Sequence, residues 1–313
     1  MFKMKSLLYI VAIFSFALVS CTERLPENNM PNDVENGAIT MVSAAVKPLY
    51  LKGVTGVGNY KWSNINLGIV SAGDKNECYQ PVKATTGDSE AYFYGNEVGG
   101  DLSIYMPYSE ENGAKAKEGK LTMLSEQNYY ADPFDHLMYN STFLATTTEN
   151  RVEFDYYSGL AKVLLKHDVN DIASVTLRIG NISVGEYDDY LAGDYSIADA
   201  TIDGAANGNI EAVVKIDEAV SLNSTVENPA CVYVALAPGV YQHFVVIITT
   251  RSGESILLPV EGKKLVEGTT DQYEAEPFVI ERCAISKDVV AEKIDRNNGV
   301  DDFEHEDGNF NEQ

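Results

Sequence analysis

The chain has 313 residues, 45% of them apolar, with 23 basic against 47 acidic side chains and a net charge of −24. That length and apolar content are enough for about two domains with real cores. So negative a surface repels phosphate backbones, which argues against nucleic acid as a partner. The four cysteines, Cys21, Cys78, Cys231 and Cys283, are too few and too widely spaced for a disulfide framework, although a pair between Cys231 and Cys283 stays open.

Lys3 and Lys5 precede an apolar run from Leu7 to Val19. It falls short of the about 20 residues that a spanning helix needs and has the length of a signal-peptide core. The run ends in Leu18-Val19-Ser20-Cys21, which resembles the lipobox of bacterial lipoproteins. That resemblance implies cleavage between Ser20 and Cys21, a diacylglycerol on the Cys21 thiol and, with Thr22 next, an outer-membrane destination. Loss of residues 1–20 removes two lysines and no acid, so the net charge becomes −26. Residues 21–37 are polar and broken by Pro26 and Pro31, and they read as a tether.

From residue 38 onward short runs of strand character alternate with Gly, Asn, Asp and Ser clusters. The first is Ala38–Val46, followed by Lys47-Pro48. Gly53-Val54-Thr55-Gly56-Val57-Gly58 reads as a turn rather than a phosphate loop, because no helix pattern follows it. Leu102–Met106, Val152–Tyr156 and Ala161–Leu165 continue the series. In Ala173–Ile179 the residues Ala173, Val175, Leu177 and Ile179 share one face, the mark of a half-buried strand. Ile210–Ile216 alternates in the same way. Cys231–Leu236 and Phe244–Thr250 are apolar on both faces, as central strands are, and with the turns at Ala237-Pro238-Gly239 and Arg251–Glu254 they predict a meander into Ser255–Val260. No long segment has a helical period, so the fold class is all-β. A polar stretch at 146–150 divides an N-terminal domain, 38–150, from a C-terminal domain, 151–291. Residues 292–313 carry eight acids against two basic residues and read as a solvated tail.

Catalytic patterns are lacking in the sequence. His136, His167, His243 and His305 show no His-x-x-x-His spacing, there is no Cys-x-x-Cys, and no nucleophile elbow or P-loop occurs. No enzyme, cofactor or metal is therefore expected. The acidic stretches Glu186–Tyr190 and Asp301–Asp307 do not have EF-hand spacing and read as solvated loops. Trp62, Tyr129-Tyr130 and Tyr156-Tyr157 leave a sugar-stacking platform open, although aromatics scattered through strands more often pack in cores.

Tyr105-Met106-Pro107-Tyr108, then Asp135-His136-Leu137-Met138-Tyr139, then Val152-Glu153-Phe154 running into Gly159-Leu160-Ala161-Lys162-Val163, resemble in their order the fimbrillin-like proteins of type V pili. Leu191–Tyr195, Tyr233–Gly239 and Tyr241 with Phe244-Val245-Val246 are similar to the second domain of those proteins. His136 departs from the usual Asp-Leu-Met, and Tyr157 or Ser158 stands where a histidine usually precedes Leu-Ala-Lys. The resemblance covers about residues 40–285. It implies two tandem transthyretin-like β-sandwich domains, export as an outer-membrane lipoprotein, and a fimbrial subunit or anchor that joins other subunits by strand exchange and serves adhesion to a host or bacterial surface. The alternative is a surface glycan-binding lipoprotein of similar build. Candidate exchange positions are Val42 in the first strand, and Phe278, Ile280 and Val290 in the last apolar runs. Whether the first strand is removed or simply completes its own domain stays open, as does whether the last strand is donated or closes its own sandwich. No arginine lies between Arg24 and Arg151, so removal of the first strand requires a lysine site such as Lys47 or Lys52.

Overall fold

The computed structural model describes residues 39–292, apart from 64, 72–74, 84–86, 180–189, 205–207, 242, 262, 266–272 and 276. The signal peptide, the lipidation residue Cys21 with Ser20, the tether, the tail beyond Glu292 and most of the acidic stretch 186–190 lie outside these residues.

In chain order the first part contributes β1 (Ile39–Val46), β2 (Leu67–Ser71), β3 (Asn76–Pro81), β4 (Glu90–Asn96), β5 (Leu102–Met106), helix α1 (Glu110–Lys117), β6 (Lys120–Met123), β7 (Glu126–Asn128), helix α2 (Pro133–Tyr139), β8 (Phe143–Thr147) and β9 (Arg151–Phe154). The second part contributes β10 (Gly159–Lys166), β11 (Ile172–Ile179), β12 (Gly193–Ser196), β13 (Thr201–Ile202), β14 (Glu211–Lys215), β15 (Ala230–Leu236), β16 (Gly239–Tyr241), β17 (His243–Thr250), β18 (Ser255–Glu261), β19 (Lys263–Leu265), β20 (Tyr273–Ala275), β21 (Phe278–Ile280) and β22 (Ile285–Glu292). The all-β class follows directly. Both helices are too short to show in hydrophobic periodicity; each starts where a side chain caps free backbone amides, Ser109 for α1 and Asp132, ahead of Pro133, for α2.

Seven strands form one sheet in the order β8-β5-β2-β3-β4-β1-β9. Its inner face, with Phe93, Ile69, Ile104 and Phe143, packs on Trp62, Tyr60 and Leu137 in a first core. Two further sheets, β15-β10-β22 and β18-β17-β11-β14-β7, face each other across a second core of Val163, Leu165, Val175, Leu177, Val234, Val246 and their neighbours. That is a sandwich, with the alternation of Ala173–Ile179 pointing Val175 and Leu177 inward. Elements also cross between the two parts. β7 joins the far edge of the second part's sheet beside β14, β6 pairs with β12, and Val70, Tyr105, Leu121, Tyr195 and Ala237 share a third cluster.

Two strand expectations are corrected. The meander of Cys231–Leu236, Phe244–Thr250 and Ser255–Val260 does not form: β15 pairs with β10, whereas β17 pairs with β11 and β18. A strand that is apolar on both faces specifies no partner. Here the turn at Pro238 carries the chain from one sheet to the other, braced by the Tyr241 hydroxyl donating to Ala237 O at 2.9 Å. The run Pro277–Ile285 is likewise two strands: β21 pairs with β16, and a turn with Cys283 at φ 51° leads into β22. Val152–Tyr156 does form a strand, β9, but beside β1 in the first sheet.

Candidate functional site: the first strand and its slot

Alternation along β1 puts Val42, Ala44 and Val46 inside, with Val42 only 1% exposed, and turns Met41, 43% exposed, to solvent. The strand is held on both sides. It runs antiparallel to β4, with Val42 opposite Phe93 and Ala44 opposite Ala91, and parallel to β9, with Ala44 opposite Val152 and Val46 opposite Phe154. Taking β1 away would therefore leave a slot with two open backbone edges and an apolar floor.

The chain leaves the slot through exposed lysines. Lys47 Nζ lies 2.9 Å from Asp155, which also pairs with Arg282 at 3.0 Å. Burial alone would push the Asp155 carboxyl up, but the hydrogen bond from Lys47 and the Arg282 charge hold it below the usual carboxylate range; that same bond raises Lys47. Lys52 pairs with Glu281 at 2.5 Å, and its N–H donates to Cys283 O at 3.0 Å. Gly53 and Gly56 follow at positive φ, and Gly58 passes so close to Phe134 that an added Cβ would come within 2.9 Å of its ring. This glycine run is thus a packing loop over α2.

The other exchange candidates lie apart from Val42. Phe278 and Ile280 are buried in β21 against the second core, while Val290 is half-buried in β22. β22 is one of the two outer strands of its sheet and runs parallel to β10, with Val289 opposite Val163 and Ala291 opposite Leu165. Cys78, Cys231 and Cys283 are free thiols, so Cys231 and Cys283 are not bridged, and burial raises all three above the ordinary thiol range.

Other sequence candidates take structural roles. Trp62 is 2% exposed and Tyr156 1% exposed, which removes both from any sugar platform. Tyr157 lies under the Arg282 guanidinium, 4.4 Å from its centroid, Tyr130 leans on Tyr139, and Tyr129 packs against the second core. Among the described residues no group of three His, Cys, Asp or Glu is placed to hold a metal. His167 borders an open cleft of about 630 Å³ between the 167–171 loop and the start of β18.

The motif residues behind the family resemblance are packing devices as well. Gly159 opens β10 where an added Cβ would lie 2.1 Å from Glu281 O. His136, fully buried, places Nε2 3.1 Å from Gln127 Oε1. Gln127 in turn donates from Nε2 to Leu124 O at 3.0 Å and to Ala235 O at 2.6 Å, and accepts from Ala235 N at 2.8 Å. Its amide orientation is thereby settled, so Nε2 of His136 carries the hydrogen. Nothing in the sequence points to Gln127, because a lone glutamine in a short polar stretch gives no signal of burial. The same holds for Lys115, whose ammonium lies 2.7 Å from the largely buried Asp194 carboxylate.

No family model and no curated protein matches the chain. Solved structures similar to it include a candidate cell adhesion protein from Bacteroides ovatus, 14% identical over 71% of this chain and 86% of that one, with a TM-score of 0.39. Another is the tip fimbrial protein Mfa3 from Porphyromonas gingivalis with C-terminal truncation, 12% identical over 74% and 83% at a TM-score of 0.31. A third, a candidate cell adhesion protein from Bacteroides uniformis, is 11% identical over 74% and 86% at 0.32. The all-β class rests on this chain's own strands.

Proposed function

We propose that this chain is a fimbrillin-like lipoprotein, a non-enzymatic subunit or anchor of a surface fibre that is lipidated at Cys21, reaches the outer membrane and joins other subunits by strand exchange in the service of adhesion. The observation that carries this reading is the position of β1: a short strand near the N-terminus fills a slot between β4 and β9 and is followed by exposed lysines at 47 and 52. Cleavage at Lys47 or Lys52 would release it, and a strand from another chain would restore the backbone pairing. β22 supports the donor half of the reading. It is one of the two outer strands of its sheet, it runs parallel to its partner as β1 does to β9, and its inward Val289-x-Ala291 repeats the spacing of Val42-x-Ala44.

The deciding observation is the N-terminal sequence of the mature protein taken from its native cell surface. A start at Cys21 marks an intact lipoprotein or anchor; a start after Lys47 or Lys52 marks an opened subunit. Cysteines placed at Arg151, on the slot wall opposite the outward Ser43, and at Val290 of the incoming strand test exchange directly, since only a close pair can bridge. Ladders of linked subunits support exchange, and monomers in a fimbriated strain argue against it. Cys21→Ser should abolish acyl labelling and membrane retention; continued acylation would remove the lipoprotein reading.

A further inference from the structure

The slot around β1 has an uneven floor. Its three inward positions form three cross-strand rows: Val42 with Phe93, Ala44 with Ala91 and Val152, and Val46 with Phe154. The outer rows carry large rings, and the middle row has two alanines side by side. Four residues of strand span about 13 Å, so the two outer rows are that far apart. The Trp62 indole is 5.1 Å from the Phe93 ring and 6.4 Å from the Phe154 ring, so it reaches both outer rows, and it is buried in the same core as Ala44 and Ala91 of the middle row. Nor is the indole free to retreat. Its Nε1 donates to Ser89 O at 3.2 Å, and its backbone is tied by Trp62 N to Asp88 O at 3.3 Å and Gly87 N to Trp62 O at 2.6 Å.

We propose that Trp62 makes this slot selective for a strand with an alanine-sized residue at the place of Ala44 and aliphatic residues two positions to either side, and so sets the register of whatever strand fills it. A one-residue slip would put outward residues such as Ser43 and Ala45 on the floor; a two-residue slip would drive a valine into the indole. β22, with Val289 and Ala291, meets the first two of the three positions. As a statement about incoming strands the inference rests on the exchange reading; as a statement about β1 it does not.

The test is a thermal-unfolding cycle in the full chain with Ala44→Leu, Trp62→Leu and both together. Ala44→Leu should lower the midpoint by about 4 °C or more through overpacking, whereas Ser43→Leu on the outward face should leave it nearly unchanged. The double variant should be more stable than Trp62→Leu alone, because the new leucine occupies the space the indole leaves. Losses that simply add would overturn the proposal. The second measurement uses the full chain with a protease site placed in the Gly53–Gly58 loop and cut. A labelled 39–47 peptide should displace β1 at least tenfold better than its Ala44→Leu form, and equal displacement would refute the selectivity. A coupled cycle with no exchange between subunits in cells would sink the exchange reading and leave the slot rule standing.

Discussion

Gln127→Leu removes the side chain that ties β7 to β15 and α2. The leucine fits the volume but supplies no polar atom. It strips Ala235 N–H, Ala235 C=O, Leu124 C=O and His136 Nε2 of partners at 2.8, 2.6, 3.0 and 3.1 Å. An orphaned buried polar group costs about 1–3 kcal/mol, and neighbours relax together, so the loss should total about 3–5 kcal/mol. In thermal unfolding that is a drop on the order of 10 °C. Glu126→Gln, which breaks only the exposed pair with Lys215, is the control and should cost under about 0.5 kcal/mol. Urea or thermal unfolding followed by circular dichroism measures both. If Gln127→Leu loses less than about 1 kcal/mol, the glutamine is not the tie that its hydrogen bonds depict.

Burial pulls the His136 imidazole down to about 3 from its ordinary 6.5. As pH falls through 6.5 the unfolded chain takes up the proton first, so stability is full above 6.5 and is lost progressively toward 3, by about 2 kcal/mol at pH 5; His136→Gln should flatten unfolding curves over that range, and an unchanged slope would contradict the assignment. Lys115→Met removes the ammonium 2.7 Å from the largely buried Asp194 carboxylate and should cost about 3 kcal/mol, most of it recovered in Lys115→Met with Asp194→Leu if the charge is what matters. Gly159→Ala forces β10 away from the Glu281 carbonyl and should cost about 1–3 kcal/mol by denaturant titration, while the same change at Gly253, with open space around it, acts only through its positive φ.

What the sequence determined by itself was local. Alternation of apolar residues marked β5, β10, β11 and β14, because a strand with one buried face writes its period of two into the chain, and continuous apolar runs marked β15 and β17. Turn residues marked the breaks around Gly53, Pro238 and Gly253. The lack of long helical periods set the all-β class, which the two helices of about two turns each among the described residues do not disturb. Pairing was another matter. Cys231–Leu236 and Phe244–Thr250 look alike in sequence and sit in different sheets, since residues apolar on both faces pack equally well beside several neighbours and only long-range assembly selects among them. The Trp62 tie to Ser89, the place of β1 beside β9 and the Gln127–Ala235 tie depend on segments 27 to 108 residues apart in the chain meeting in space. No window of sequence contains both partners of such a contact, which is why the slot and its indole floor became visible only in the folded chain.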